Sequence, residues 1–193
     1  MAPSPDPGRR VVVIDGRRTP FCRSLTAFSE LTAYDLGRMA VSGLLHATRV
    51  DPGAVDLLVM GTVIADAATS NLGREVVLGT ELPSSCPAYT VTMACVSSLQ
   101  AFLDGARAIE TGAADVVIAA GAETLSDAPI RYRRAVRRRL MLGQKAKGPG
   151  DWLKLLRGLK LADLAPEPVA IAEFSTGEQM GENGERLAKR LGI

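Results

Sequence analysis

The sequence predicts an α/β fold: a mixed, mostly parallel sheet with helices on both faces. Three observations carry this. Short β-branched apolar runs have the length of buried strands, amphipathic stretches of helical length separate them, and turn-forming residues mark the junctions. Residues 11–15 (VVVID) read as the first strand, followed by Gly16 and Pro20. Across residues 30–48, Leu31, Leu36, Ala40, Leu44 and Leu45 recur at helical spacing until Asp51-Pro52-Gly53 breaks the pattern. Residues 55–64 read as a second strand, and 72–82 as a short helix with Asn71 at its capping position. Residues 89–93 alternate like a strand end. Helical spacing resumes at Leu99, Phe102, Leu103, Ala106 and Ile109 and stops at Thr111-Gly112, before the strand 116–120 (VVIAA) leads into Gly121. Strands alternating with helices of these lengths form βαβ units.

Beyond residue 130 the strand signal fades. Pro149, Gly150, Pro166 and Pro168 interrupt the chain, so only short helices fit, around 152–159 and 179–191. The expected organisation is a flexible tail over 1–10, an α/β unit over 11–130 and a loop-rich unit over 131–193.

With 193 residues, 47% apolar and 23% charged, the chain is large enough for a real core and excludes disordered and collagen-like classes. No apolar run is long enough to span a membrane, and the start MAPSPDPGRR lacks a secretory signal's apolar stretch, so a cytoplasmic protein is expected. Cys22, Cys86 and Cys95 fit no zinc spacing, and His46, the single histidine, completes none, so no metal site is expected. The net charge of +2 hides a segregation: residues 131–160 carry eleven Lys and Arg and only one acid, Asp151. That basic segment suits an anionic surface such as acidic lipid, or is simply a solvated face. It contains no recognisable nucleic-acid module.

Cys95 falls between the strand-like 90–93 and a helix starting near Val96. A thiol there meets the free N–H groups and partial positive charge of a helix start, which favour thiolate and cradle an oxyanion formed on a thioester carbonyl. Packing alone is the competing explanation for a free cysteine.

Several strings around it occur in one order: Arg18-Thr19-Pro20-Phe21; Asn71 with Arg74; Pro87-Ala88; Thr92-Met93-Ala94-Cys95-Val96-Ser97-Ser98-Leu99-Gln100-Ala101; and Gly121-Ala122-Glu123-Thr124-Leu125-Ser126. In order and spacing they resemble the thiolase family from about Val11 to the last residue. The Val91-to-Cys95 string, Ser126 to Arg131, the basic run through Leu142 and Glu173-Phe174-Ser175-Thr176 with Met180-Gly181 look most like the β subunit of the fatty-acid oxidation multienzyme complex.

The resemblance implies a thiolase N-terminal half-domain followed by the beginning of a loop domain. It implies CoA-dependent cleavage of 3-ketoacyl-CoA, or the reverse condensation, with Cys95 as the acyl-thioester nucleophile. Met180 corresponds to a methionine near the family's acyl pocket. Coenzyme A is then a co-substrate, with no bound cofactor. Expected partners are acyl-CoA, a second copy in a dimer or tetramer, an α subunit, and a peripheral anionic lipid surface. Where the common family pattern has Gly soon after the nucleophile, this chain has Ser97-Ser98. The family's second half, which supplies a histidine base and a second cysteine, is absent here; His46 matches no such motif and reads as structural, as do Cys22 and Cys86. An inactive chain on its own is therefore expected. The competing assignments are a ketoacyl-synthase-like condensing enzyme and a non-catalytic fragment.

Overall fold

A reciprocal capping box opens the first helix. The Asp35 N–H donates to the Thr32 hydroxyl oxygen at 3.2 Å, and the Thr32 N–H donates to the Asp35 carboxylate at 3.0 Å. This satisfies two donors that the first turn would leave free and starts α1 (Ala33–Thr48). Arg49, in the left-handed region at φ 57°, ends it. In the computed structural model the described residues are 9–167 and 172–193; most of the expected tail, residues 1–8, and Pro168 lie outside them.

After α1 come β1 (Leu57–Gly61), α2 (Leu72–Leu78), β2 (Ala88–Val91), α3 (Ser97–Glu110) and β3 (Val117–Gly121). The three strands form one parallel sheet in the order β2-β1-β3, with Val59 opposite both Tyr89 and Ala119. β1 is central, and Leu58, Val59 and Met60 are fully buried. Alternation sorts its side chains by face. Leu58 and Met60 join Ile118, Val41, Leu45, Val76 and Val77 in a core beneath α1 and α2. Each such residue contributes about 1.5–3 kcal/mol of burial.

The opposite face receives α3 through small residues. Ser97, Ala101 and Gly105 are its buried positions, four residues apart. A Cβ on Gly105 would meet the Val117 side chain, and one on Gly61 would meet the Ser97–Ser98 backbone at 2.5 Å. At Gly61 the start of the helix thus lies directly against strand backbone. Its larger apolar residues Leu99, Phe102 and Leu103, which supply the helical spacing, are exposed instead.

The run 11–15 forms no strand. Val12, Val13 and Ile14 are 70%, 71% and 76% exposed, and the segment is extended without a ladder. β-propensity records what fits a pleated surface, and pairing requires a neighbouring edge in register. An ion pair from Arg9 to Asp115 fastens its start, and a cleft of 280 Å³ separates it from α1, α3 and β3. The other expected elements form with shorter or shifted ends. The second strand occupies only Leu57–Gly61, and α2 stops at Leu78 because Gly79 takes the C-cap, its N–H donating to the Glu75 carbonyl.

The described chain divides into two compact units, the second beginning at Ile130. That unit holds β4 (Arg131–Tyr132), α4 (Arg134–Gly143), α5 (Pro149–Leu156), β5 (Pro166–Glu167) and α6 (Met180–Leu191). The arginine run becomes α4, a helix its charge pattern conceals. Val136 is buried on it, and Trp152 of α5 packs where a Cβ of Gly143 would stand. β4 and β5 pair antiparallel over two residues each, strands too short for periodicity to reveal. α5 begins at Pro149 rather than 152, since proline suits the first helical turn. No helix among the described residues is long and apolar enough to cross a membrane.

Candidate active site

Between β2 and α3 the chain reverses through a tight elbow. Ala94 sits in the left-handed region at φ 47°, which is unfavourable for a residue with a Cβ and holds only where the surroundings impose it. Ser97 imposes it. Its hydroxyl donates to the Ala94 carbonyl at 2.6 Å and accepts the Met93 N–H at 2.8 Å, with the side chain 3% exposed. The N–H groups of Val96 and Ser97 donate to the Met93 and Ala94 carbonyls. Cys95 is carried out on this turn, exposed, one residue before the N-cap of α3.

The elbow stands at the carboxyl ends of the parallel strands, where open α/β sheets place their ligands. Cys95 lines a 250 Å³ crevice there with Ala94, Ser98, Thr62, Val63 and Glu123. Gly61 and Gly121 close its base by allowing α3 to touch both strand ends: a Cβ on Gly121 would occupy the position of the Ser98 hydroxyl. Ser98 is thus accommodated by a glycine on β3. Thr62 ties the strand ends together, its N–H donating to Val91 at 3.2 Å and its carbonyl accepting the Thr92 hydroxyl at 2.9 Å.

Asn71 and Arg74 act as a brace. The Asn71 amide oxygen accepts from the Arg74 N–H and the Thr90 hydroxyl, and its NH2 donates to the Ala88 carbonyl at 3.1 Å. The Arg74 guanidinium donates to the Ser84 and Cys86 carbonyls. Together they fix the strand that delivers the elbow. The Arg18-to-Phe21 loop and the Gly121-to-Ser126 string line one further cleft, and the Leu25 N–H donates to the Ser126 hydroxyl at 3.0 Å. Motifs distant in sequence therefore converge around the strand ends.

Cys86 is buried, and burial pushes its thiol up from the ordinary range, with the Asp56 carboxylate adding to the effect. Cys22 is exposed in the Arg18–Phe21 neighbourhood. His46 is not among the crevice residues; its ring lies 3.1 Å from the Glu81 carboxylate on the exposed side of α1. Glu81 also accepts from Ser42 at 2.9 Å, and its carboxyl is held below the usual range chiefly by its own backbone N–H, then by Ser42. Met180 belongs to the second unit, 78% exposed at the first position of α6, beside Gln179 and Asn183. Sequence reasoning missed Ser97, Thr62 and Thr92. Ser97 and Thr92 stand in the string around the cysteine and carried a visible signal; Thr62 carried none.

A parallel βαβ unit that carries an exposed cysteine on an elbow at its strand ends presents a nucleophile to a crevice where such sheets place ligands. The family model described as "Thiolase, N-terminal domain" matches residues 11–193, so this chain belongs to the thiolase family through its N-terminal domain. Among curated relatives, the mitochondrial trifunctional enzyme subunit beta of Macaca fascicularis is 46% identical over 185 residues, and that of Homo sapiens 45%. The 3-ketoacyl-CoA thiolase of Shewanella pealeana is 41% identical over 186 residues. Each alignment covers 96% of this chain, but 39% of the trifunctional subunits and 43% of the Shewanella protein. The chain thus spans about two fifths of the length of these relatives. The solved structure of Acat5 thiolase from Ascaris suum in complex with coenzyme A shares the fold, with a TM-score of 0.72 at 23% identity over 92% of this chain and 42% of that one.

Proposed function

We propose that this chain is the nucleophile-bearing part of a thiolase-type acyltransferase that cleaves 3-ketoacyl-CoA in fatty-acid β-oxidation. The observation that carries the reading is the exposed Cys95 sulfur on a serine-clasped elbow, opening into a crevice at the strand ends of a chain in the thiolase family. The Cys95 thiol gives up its proton as its sulfur attacks the ketone carbonyl, the C–C bond breaks, and the departing acetyl-CoA carbanion takes up one proton, so that the thiol's proton is balanced on the acetyl carbon. The shortened acyl group stays on Cys95 until the thiol of a second coenzyme A displaces it. The first unit acts as the catalytic half-domain and the second as the loop domain, and Met180 is proposed as a substrate-binding residue.

The crevice residues include no histidine and no second cysteine, so the proton on departing acetyl-CoA has no donor of the family's kind among them. The chain alone is accordingly proposed to be inactive in turnover while still accepting an acyl group by thioester exchange. Acetyl-CoA mixed with the purified chain should leave one acetyl group on Cys95, seen by intact mass and peptide mapping, and none on Cys95→Ala. Absence of acetyl-Cys95 in the unsubstituted chain overturns the nucleophile assignment; steady-state thiolysis of acetoacetyl-CoA that is abolished by Cys95→Ala overturns the proposed inactivity.

The basic segment supports contact with anionic groups. Arg134, Arg137 and Arg138 line a groove on α4 with Met141 and Leu142, suited to coenzyme A phosphates. Exposed Leu153, Leu156 and Leu161 add the apolar component that a peripheral lipid contact needs. The likeness to subunits named beta supports an α-subunit partner. Binding to coenzyme A or anionic vesicles should weaken as salt rises; salt-independent binding counts against an electrostatic cause.

A further inference from the structure

We propose that Glu123 is a positioning residue of the Cys95 crevice, its carboxylate holding the Thr62-Val63-Ile64 loop as one of the crevice walls; this rests on the acyl-transfer reading above. β1 ends at Gly61; the Thr62 N–H still reaches Val91 of β2, but those of Val63 and Ile64 have no strand partner. Glu123, two residues beyond the end of β3, takes them. Its carboxylate accepts the Val63 N–H at 2.6 Å, the Ile64 N–H at 3.2 and 3.3 Å, and the Thr62 hydroxyl at 3.4 Å. An ionised carboxylate suits this task because both oxygens accept and neither donates.

From the other side Thr62 is anchored to Val91 and Thr92 at the end of β2. The wall is therefore pinned by one side chain from each flanking strand end, and Thr62, Val63 and Glu123 line the crevice together with Cys95. In Glu123→Gln the side-chain NH2 confronts a backbone N–H, and the loop loses its second acceptor. A small reagent needs only an open path to sulfur. An acyl-CoA needs the wall in place to align its carbonyl.

The test compares the full chain with Glu123→Gln by two reactions at Cys95, resolved by peptide mapping: alkylation by iodoacetamide and acetylation by acetyl-CoA. The expected result is alkylation within about twofold of the unsubstituted chain and acetylation slowed about tenfold or more. Equal loss of both reactions, or loss of neither, overturns the proposal. Hydrogen exchange at the Val63 and Ile64 amides gives an independent readout, expected to quicken about tenfold in Glu123→Gln. Unchanged exchange also overturns it. If the unsubstituted chain takes no acetyl group, the acyl-transfer reading fails by itself, and the exchange data alone decide whether Glu123 holds the loop.

Discussion

The Ser97 hydroxyl donates to the Ala94 carbonyl at 2.6 Å, across the residue that carries the sulfur. One buried oxygen thus ties the start of α3 to both residues that precede Cys95, because it also accepts the Met93 N–H. Ser97→Ala keeps the helix but removes both bonds. We expect a loss of about 1–3 kcal/mol in urea unfolding, with the Met93 N–H left without its acceptor. A change under about 0.5 kcal/mol would mean the clamp is dispensable.

Two glycine substitutions should act in opposite directions. A Cβ on Gly61 would meet the Ser97–Ser98 backbone at 2.5 Å, and backbone cannot swing aside. Gly61→Ala should therefore cost about 1–3 kcal/mol and disturb the elbow. Gly43 on the exposed side of α1 has nothing within 4 Å, so Gly43→Ala should raise stability by about 1 kcal/mol through helix propensity alone. Denaturation midpoints of both variants check the sign.

Acid should destabilise the fold along a specific window. Asp35 is held below the ordinary carboxylate range by the Thr32 hydroxyl and then its N–H, and Asp56 by the N–H groups of Val116 and Asp115. A carboxyl whose folded value is depressed adds stability that is fully present above its unfolded value and lost as pH falls through the folded one. The thermal midpoint should stay level from about pH 7 to 5 and decline below about pH 4. Asp56→Asn should flatten part of that decline; an identical slope would remove Asp56 from the account.

The three cysteines should separate by accessibility. Cys95 and Cys22 are exposed and should alkylate in the folded chain. Cys86 is buried with its thiol pushed up by desolvation, and should react only after unfolding. Peptide mapping after brief iodoacetamide treatment checks the order, and early labelling of Cys86 would contradict the packing of α2 on the sheet.

Legibility in the sequence followed the range of the interactions. α1, β1 and β3 were readable because each buries a periodic apolar face on one core. The run 11–15 was misread because β-branched composition does not say whether an edge is presented in register. On α3 the leucines and Phe102 drew attention, while the sheet contact is made by Ser97, Ala101 and Gly105; small residues carry little hydropathy, yet they set the closest approach. α4 was hidden by its arginines, whose charge masks its two buried positions, Val136 and Gly143. Cys95 was visible from its place between strand and helix. Its surroundings were not, because Thr62, Thr92 and Glu123 come from three strand ends that only the fold brings together.

The thin seam under α3 has a mechanical outcome. Where Ser97 and Ser98 press against Gly61 and Gly121, no soft layer exists to absorb displacement, so the sulfur's coordinates are tied to the strand ends themselves. Residues around the mouth of the crevice can then drift in size and polarity, altering which acyl groups are admitted, while the reacting atom keeps its place.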